Sequence, residues 1–295
     1  MRYTNCRLCG SSTFPRKGKI RSTRSLLADK ILECKACSFV FLNDDSHISQ
    51  THYEESLMHD YEKTLEDSRE ESKEEDLRRY DMLKSEILNK KIIEVGVGNG
   101  GFLKLAQKVA KSAQGIEPEK KHHRAFEEEG LNVKLHKNDL TDFRGTDVIV
   151  SFHVIEHVSN PLGFLLELLN LLEINKKVFI ETPNSNDALI TLYDSAAFQN
   201  FTYWDNHLVL FNNKSFEFMC NKITGIKYKS IPVQRFSIAN HLHWLAKKKP
   251  GGHKLWSFLE EESIKIKYRE KLFDLQINDT LFYEITKISD QCKLK

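Results

Sequence analysis

The run "IIEVGVGNGGF", Ile92 to Phe102, decides the fold of this chain. An apolar, β-branched stretch breaks into glycines and then returns to apolar residues, as a strand does when it turns tightly into a helix. A turn of this kind lets a nucleotide approach the backbone. Two spacings coexist in it. Gly96, Gly98 and Gly101 fit the dinucleotide fingerprint G-x-G-x-x-G, whereas Gly96, Gly98 and Gly100 fit the tighter spacing of methyl-donor loops. Either ligand calls for an acid near the end of the following strand to hold a ribose, and Glu117 stands 19 residues after Gly98. The glycines therefore announce a nucleotide without saying which.

Around this run, strands alternate with helices. "KIIEVG" is expected as a strand and "GFLKLAQKVAKS" as a helix. "AQGIEP" is the second strand, "EKKHHRAFEEEG" a helix, and "NVKLHKND" the third strand. "TDVIVSFHV" is an apolar fourth strand. Asn160-Pro161 opens the helix "PLGFLLELLNLLE", with proline where its missing N–H costs little. "KKVFIETPN" is the fifth strand. Such alternation predicts an α/β, Rossmann-like fold: a parallel sheet covered on both faces, with ligands at the carboxyl ends of its strands.

Three features beyond the glycines separate the two ligands. Glu94 lies inside the strand, two residues before Gly96, and an acid there suits a cationic sulfonium with an amino-acid tail better than a pyrophosphate. The third strand ends in Asn138-Asp139-Leu140, an acceptor followed by an apolar residue, which suits an adenine amine and face. The fourth strand runs into "SFHVIEHVSNP". Together "EVGVGNG", "GIEP", "ND" and "DVIVSFHVIEHVSNP" resemble the successive motifs of class I S-adenosylmethionine-dependent methyltransferases over about residues 90–235. The resemblance implies a seven-stranded sheet and S-adenosylmethionine as cofactor. Glu94, Gly96 and Gly98 would line its methionine part, Glu117 its ribose hydroxyls, and Asp139 with Leu140 its adenine. Val97, Pro118 and Asn138 join the implied cofactor-binding set, and Phe152 and His153 would sit below the donor. Members of the family end in an antiparallel strand pair. "GIKYKSIPV" and "DTLFYEITKI" can supply it, which makes the body 91–295, with an insertion at about 234–278.

The front of the chain has a different character. Cys6 and Cys9 form one C-x-x-C, and Cys34 and Cys37 another. Each pair can present two thiolates from a tight turn, and two such turns complete a tetrahedral cage. A structural zinc ribbon over residues 1–45 is expected, its four ligands leaving no open position for catalysis. Gly10 suits the first turn. Cys220 and Cys292 stand alone and are expected to pack as small hydrophobes. Residues 46–90 read as a helical linker or lid. In it, Glu74 to Arg78 and Glu75 to Arg79 are i,i+4 pairs that imply a solvated face, with Tyr53, Tyr61, Leu77, Tyr80, Leu83 and Ile87 available for the buried side.

The chain has 295 residues, 40% hydrophobic and 29% charged, an ordinary globular composition. No apolar run approaches the roughly 20 residues that span a bilayer. A cytoplasmic protein with no membrane partner is expected. Residues 1–35 hold nine Lys or Arg against two acids, a charge of +7, which leaves about −5 for the remainder of a chain whose net charge is +2. A basic head admits an anionic partner. An RNA methyltransferase gripping its substrate with the ribbon is therefore an alternative. Only Tyr3 and Phe14 offer stacking rings in that stretch, so nucleic acid is the less expected partner.

The acceptor is sought among the histidines. Methyl transfer from an activated donor needs an aligned acceptor and, for a hydroxyl, a base. Gripping an aromatic or amide nitrogen typically uses an Asn/Asp-Pro-Pro-aromatic loop after the fourth strand. Here that place reads Ser151-Phe152-His153-Val154, which disfavours such acceptors. Where some relatives bind a divalent metal through E-x-x-E-H, His153 stands in place of the first Glu, so His157 is expected to be a helix-capping or core histidine. The stretch "NFTYWDNHLVLFNNKSF" resembles the segment of deoxysugar C-methyltransferases in which a Tyr and a Glu-His pair act on the sugar. Those enzymes also begin with a four-cysteine zinc ribbon. Tyr203 and His207 would correspond to functional positions, but Asn206 stands where the Glu would be. Methylation of a sugar or nucleotide-sugar hydroxyl is expected, in polysaccharide or natural-product assembly. His207 or His153 would be the base, and Tyr203, Asn206 and Asn184 would face the substrate.

Overall fold

The computed structural model describes residues 2–21, 30–48, 52–54, 63–139 and 144–295. Leu140, expected at the adenine, and Tyr61, expected on the buried side of a helix, lie outside the described residues.

Seven strands form one mixed sheet: β4 (Lys91–Val95), β5 (Ser112–Ile116), β6 (Val133–Lys134), β7 (Val148–Phe152), β8 (Lys177–Pro183), β10 (Ile226–Val233) and β11 (Thr280–Lys287). Their order is β10-β11-β8-β7-β4-β5-β6. All neighbours run parallel except where β11 enters antiparallel between β8 and β10. Every residue of β7 is buried, as a central strand covered on both faces requires. Helices α2 (Gly101–Ala106), α3 (His123–Glu128) and α4 (Pro161–Asn170) fall between strands of the body, where the alternation predicts helices, and α5 (Ala188–Thr191), α6 (Ala196–Thr202) and α7 (Asn213–Asn221) follow β8. Asn160 caps α4 by accepting from Gly163 N–H, with Pro161 in the first turn. Between β10 and β11, over the stretch expected as an insertion, lie α8 (Ile238–Lys247), α9 (Gly252–Leu255) and α10 (Glu262–Asp274).

The front of the chain is joined to this body by backbone pairing. β1 (Thr13–Pro15), β2 (Ile31–Cys34) and β3 (Val40–Leu42) form an antiparallel ribbon whose fourth strand is β9 (Val209–Leu210), supplied by the body. One apolar cluster runs from Cys6, Phe39 and Phe41 through Leu208 and Phe211 to Ile180 and Tyr283. Cys220 and Cys292 both belong to it as small hydrophobes. The basic residues of the head serve the joint. Arg7 donates to the Asp45 carboxylate at 3.0 Å and to the Ser159 carbonyl. Arg16 donates to Glu33 at 3.1 Å and to the Ser185 carbonyl at 2.6 Å, and Lys17 pairs with Asp194.

Helix α1 (Leu65–Ile87) departs from expectation. Thr64 and Asp67 start it with a reciprocal capping box. The expected pairs from Glu74 and Glu75 across a solvated face are replaced by inward ones. Arg78 donates to Glu75 at 2.9 Å and to Glu181 at 2.6 Å, and Arg79 donates to Glu181 at 2.7 Å. Glu181 is fully buried near the carboxyl end of β8. An unpaired carboxylate there would be costly, so the helix turns its guanidinium face toward the sheet. Leu83 and Ile87 are buried as expected, while Leu77 is exposed.

Candidate functional site

At the carboxyl ends of β4, β5 and β7 lies a cavity of about 370 Å³ lined by Gly96, Gly98, Glu117, Phe152, His153 and His157. A second cavity of about 580 Å³, lined by Asn138, Asp139 and Leu135, shares Val95, Ile116, Pro118 and Phe164 with it. The two make one cleft, roomy enough for an extended nucleoside with an amino-acid tail. Phe152 closes its floor, edge-on to Phe102 at 4.9 Å between centroids. The structure thus brings together most of the expected cofactor residues. Two described residues of that set do not line the cleft: Val97 packs into the apolar cluster of Leu103, Phe126 and Val133, and Glu94 is buried behind the lining.

The backbone distinguishes the two glycine spacings. Gly96, Gly98 and Gly100 have φ of +80°, +59° and +76°, the left-handed region that favours glycine. A Cβ at Gly96 would stand 2.2 Å from Val154 Cγ2. Gly101 instead opens α2. Gly98 N–H donates to Glu117 Oε2 at 2.8 Å, so the loop and the acid of the next strand are locked together.

The same residues fit a cationic nucleoside. Glu94 is buried at the end of β4 and its Oε2 has no hydrogen-bond partner among the described residues. Burial and the neighbouring Asp76 raise its pKa well above the ordinary carboxylate value, opposed by Arg79. An ammonium group beside it would satisfy the orphaned oxygen and restore the charge. That is a donor set for an amino-acid tail.

A polar cluster stands at the far side of the cavity. Glu156 Oε1 lies 3.1 Å from His153 Nδ1, and Glu156 Oε2 accepts from Thr182 Oγ1 at 3.0 Å. Although burial opposes it, the adjacent imidazoles hold the Glu156 pKa down to about 2, so it is ionised. His157 Nδ1–H donates to the Asn206 carbonyl and His207 Nδ1–H to the Thr202 carbonyl, both at 2.8 Å. Each bond leaves Nε2 as the lone-pair nitrogen. Burial and the neighbouring His157 hold the His207 pKa down to about 4, and burial likewise lowers that of His157. A ligand atom from each of Glu156, His157 and His207 lies within 4.8 Å of the others, close enough to share a cation. His157, expected to cap a helix or fill the core, is buried and does pack, yet its free nitrogen faces this cluster.

His153 occupies the rim with φ of +55°, unusual for a residue other than glycine. Its Nε2 is 3.0 Å from Arg235 Nη1 and 3.2 Å from Glu181 Oε1. Burial and Arg235 lower its pKa, but Glu156 and Glu181 prevail and the net shift is upward. Arg235 in turn donates to Glu75 at 2.7 Å, tying the insertion to α1. Arg235, Glu181 and Glu156 were not among the expected site residues. Only Glu156, three residues after His153 in "HVIEH", left a signal in the sequence.

The three expected substrate residues are not at the cleft. Tyr203 is buried against Gly18 and Ile31, under the ribbon. Asn184 is buried at the end of β8 and donates to the Asn278 carbonyl at 2.7 Å. Asn206 accepts from His52 Nε2 at 3.0 Å, behind the histidines. At the front, the four cysteine sulfurs gather, with Cys6–Cys37 and Cys9–Cys37 at 3.7 Å and Cys9–Cys34 at 3.4 Å. These separations approach the edge of about 3.8 Å that a tetrahedron of Zn–S bonds near 2.3 Å would have. Backbone N–H groups of Leu8, Ala36 and Cys37 point at the Cys6 and Cys34 sulfurs at 3.4 Å, as thiolates favour. Gly10, with φ of +76°, closes the first turn.

Among the described residues, no helix is long and apolar enough to cross a membrane. A family model described as a methyltransferase domain matches residues 50–223. None of the curated proteins compared with the chain matches it. Among solved structures, the chain is similar to a methyltransferase from Archaeoglobus fulgidus, with 18% identity, a TM-score of 0.43, and coverage of 77% of this chain and 96% of that one. It is also similar to a plantazolicin methyltransferase, with 12% identity, a TM-score of 0.49, and coverage of 81% and 95%. A Haemonchus contortus phosphoethanolamine N-methyltransferase matches at 12% identity and a TM-score of 0.42 over 70% of this chain, which spans about half (50%) of that relative. The family match extends over more than half of the 295 residues, so the chain belongs to the methyltransferase-domain family and is an S-adenosylmethionine-dependent methyltransferase.

Proposed function

We propose that the protein methylates a hydroxyl group of a sugar or nucleotide-sugar, with His207 taking the hydroxyl proton. The observation that carries this reading is the pair of lone-pair nitrogens on His157, which lines the cavity, and His207, which stands behind it, both close to Glu156. A neutral imidazole accepts a proton from a hydroxyl, and the carboxylate next to it stabilises the imidazolium formed. Bound S-adenosylmethionine supplies the activated methyl group. Glu94 would hold its ammonium group, the Gly96–Gly98 loop its tail, Glu117 its ribose, and Asn138 with Asp139 its adenine. Phe152 and His153 would orient the reacting end and keep water from it. As the acceptor oxygen takes the methyl carbon, its proton passes to His207 Nε2 and the bond to sulfur breaks with its electron pair on sulfur. O-methylation is preferred over C-methylation because Asn206, which is not a base, stands where the sugar C-methyltransferases have Glu. Asn206 would act on the acceptor only by shaping the wall behind His157, while Tyr203 and Asn184 lie away from the cleft.

Glu156, His157 and His207 would also suit a divalent cation, which would polarise the hydroxyl; that gives the same acceptor a second route. We assign the four-cysteine cage to structural zinc. The inward engagement of Arg7 and Arg16 favours a small acceptor over RNA, since those charges serve the ribbon joint.

The test is transfer of labelled methyl from S-adenosylmethionine to a panel of nucleotide-sugars, with RNA as a control acceptor. His207→Ala should lower turnover by roughly a hundredfold or more while S-adenosylhomocysteine affinity stays nearly unchanged. Full turnover in that variant would remove His207 as the base. Loss of wild-type turnover on chelation, restored by magnesium or manganese but not by zinc at the ribbon, would select the cation route.

A further inference from the structure

The stretch Thr202–His207 fixes both histidines of the proposed acceptor site. Its Thr202 carbonyl holds Nδ1 of His207, and its Asn206 carbonyl holds Nδ1 of His157. Of this stretch only Thr202, the last residue of α6, lies in a helix; the rest is held by neighbours, beginning with the backbone of Arg21, which pairs with Tyr203 and Asp205. Two side-chain holders are added by the segment just after the ribbon. His47 Nε2 lies 2.8 Å from the Asp205 carbonyl, and His52 Nε2 lies 3.0 Å from Asn206 Oδ1. His52 is buried and its ring stands edge-on to Tyr53 at 4.8 Å. Tyr53 closes the circuit, since its hydroxyl donates to the His157 carbonyl and its ring lines the donor cavity. Neither His47 nor His52 lines the cleft.

We propose that His52, assisted by His47, is a positioning residue of the acceptor site: it clamps the Asp205–His207 loop from behind and so presents the Nε2 atoms of His157 and His207 to the acceptor. This rests on the reading of His207 given above, and it gives the front of the chain a part in the reaction. The ribbon supplies strand β3 on one side of the loop, where Leu42 N–H donates to the Leu208 carbonyl at 3.0 Å. The two histidines hold the other side. A histidine suits the place because a neutral imidazole donates one directed hydrogen bond and fills the space with an apolar ring.

The experiment uses the full chain with zinc and S-adenosylhomocysteine, and follows the histidine ring nitrogens by long-range proton–nitrogen NMR. In the wild type His157 and His207 should each carry a proton on Nδ1, where each donates to a backbone carbonyl. In His52→Ala the His157 ring should lose the single Nδ1–H tautomer. His52→Gln, whose amide can still donate to Asn206, should restore the wild-type signals. S-adenosylhomocysteine affinity should stay within about twofold in all variants, because the glycine loop is untouched. Unchanged ring signals in a folded His52→Ala overturn the proposal. Should that variant not fold, Asn206→Ala cuts the same hydrogen bond while keeping the backbone carbonyl, and unchanged His157 signals there overturn it equally. These signals are independent of turnover. An active His207→Ala would therefore refute the base assignment and leave the clamp to be judged by NMR alone.

Discussion

Two residues carry opposite electrostatic signs, and each makes a separate prediction. His207 has a folded pKa of about 4, below the ordinary value of about 6.5, so the unfolded chain binds its proton more readily. Its stabilising contribution is complete above that ordinary value and is lost as pH falls toward the folded one. Thermal midpoints of the wild type should therefore drop between about pH 6.5 and 4 more steeply than those of His207→Gln. Equal slopes would mean that the imidazole is not held neutral. Glu94 behaves in reverse. Its pKa is raised by burial, so it stabilises the unliganded fold below the ordinary carboxylate value and loses that contribution as pH rises through the folded one. At neutral pH Glu94→Gln should raise the melting temperature of the unliganded protein. The same change removes a charged partner of the donor's ammonium group, typically worth about 1.5–3 kcal/mol, so S-adenosylhomocysteine should bind roughly ten- to a hundredfold more weakly by calorimetry. A variant that loses neither would show that Glu94 does not meet the ligand. Glu94 was legible in the sequence because it precedes the glycines by a fixed distance along one strand. Arg235 was not, because it reaches His153 from 82 residues away and nothing local announces the meeting.

At the scale of elements, alternating apolar runs gave strands and helices close to their observed places, since a buried parallel strand or a covering helix must write its burial into the sequence. Helix α1 shows where that rule ends. Its many charges read as a solvated surface, yet Arg78 and Arg79 converge on Glu181, which is 0% exposed. Periodicity records apolar faces; it has no symbol for a charged face that is buried against an opposite charge. The pairing has a measurable consequence. Glu181→Ala leaves two guanidinium groups partly buried without their carboxylate, a change that costs about 3–5 kcal/mol where such pairs have been broken. Denaturant unfolding should show a loss of that order. Arg78→Ala alone should cost less, because Arg79 still answers the carboxylate at 2.7 Å. If Glu181→Ala were within about 0.5 kcal/mol of wild type, the size of an ordinary surface substitution, α1 would not be anchored there.

For the whole molecule the question is whether ribbon and body are two folding units or one. Reading the sequence alone separates them, because the four cysteines end where the strand–helix alternation has not yet begun, and a boundary at about residue 45 follows. Pairing that spans 168 to 170 residues in sequence is invisible to such a reading: Val40 lies opposite Leu210 and Phe41 opposite Val209, so the body completes the ribbon's sheet. The apolar cluster is continuous across the joint, from Phe39 to Phe211 at 5.0 Å between centroids and from there to Phe216 and Tyr283. Two units sharing one core cannot unfold independently without exposing it. Calorimetry of the zinc-loaded protein should then give one transition. Its calorimetric and van't Hoff enthalpies should agree. Chelation, or Cys34→Ser, should lower that single midpoint instead of melting a small separate unit first. The loss should also be felt far from the metal, at β9 and the His207 loop beside it. Amide exchange of Leu208–Leu210 should accelerate on chelation in step with that of Val40–Leu42, while the β4 amides Ile92–Val95 exchange more slowly. If the ribbon amides alone accelerated and β9 kept its protection, the ribbon would be an appendage after all.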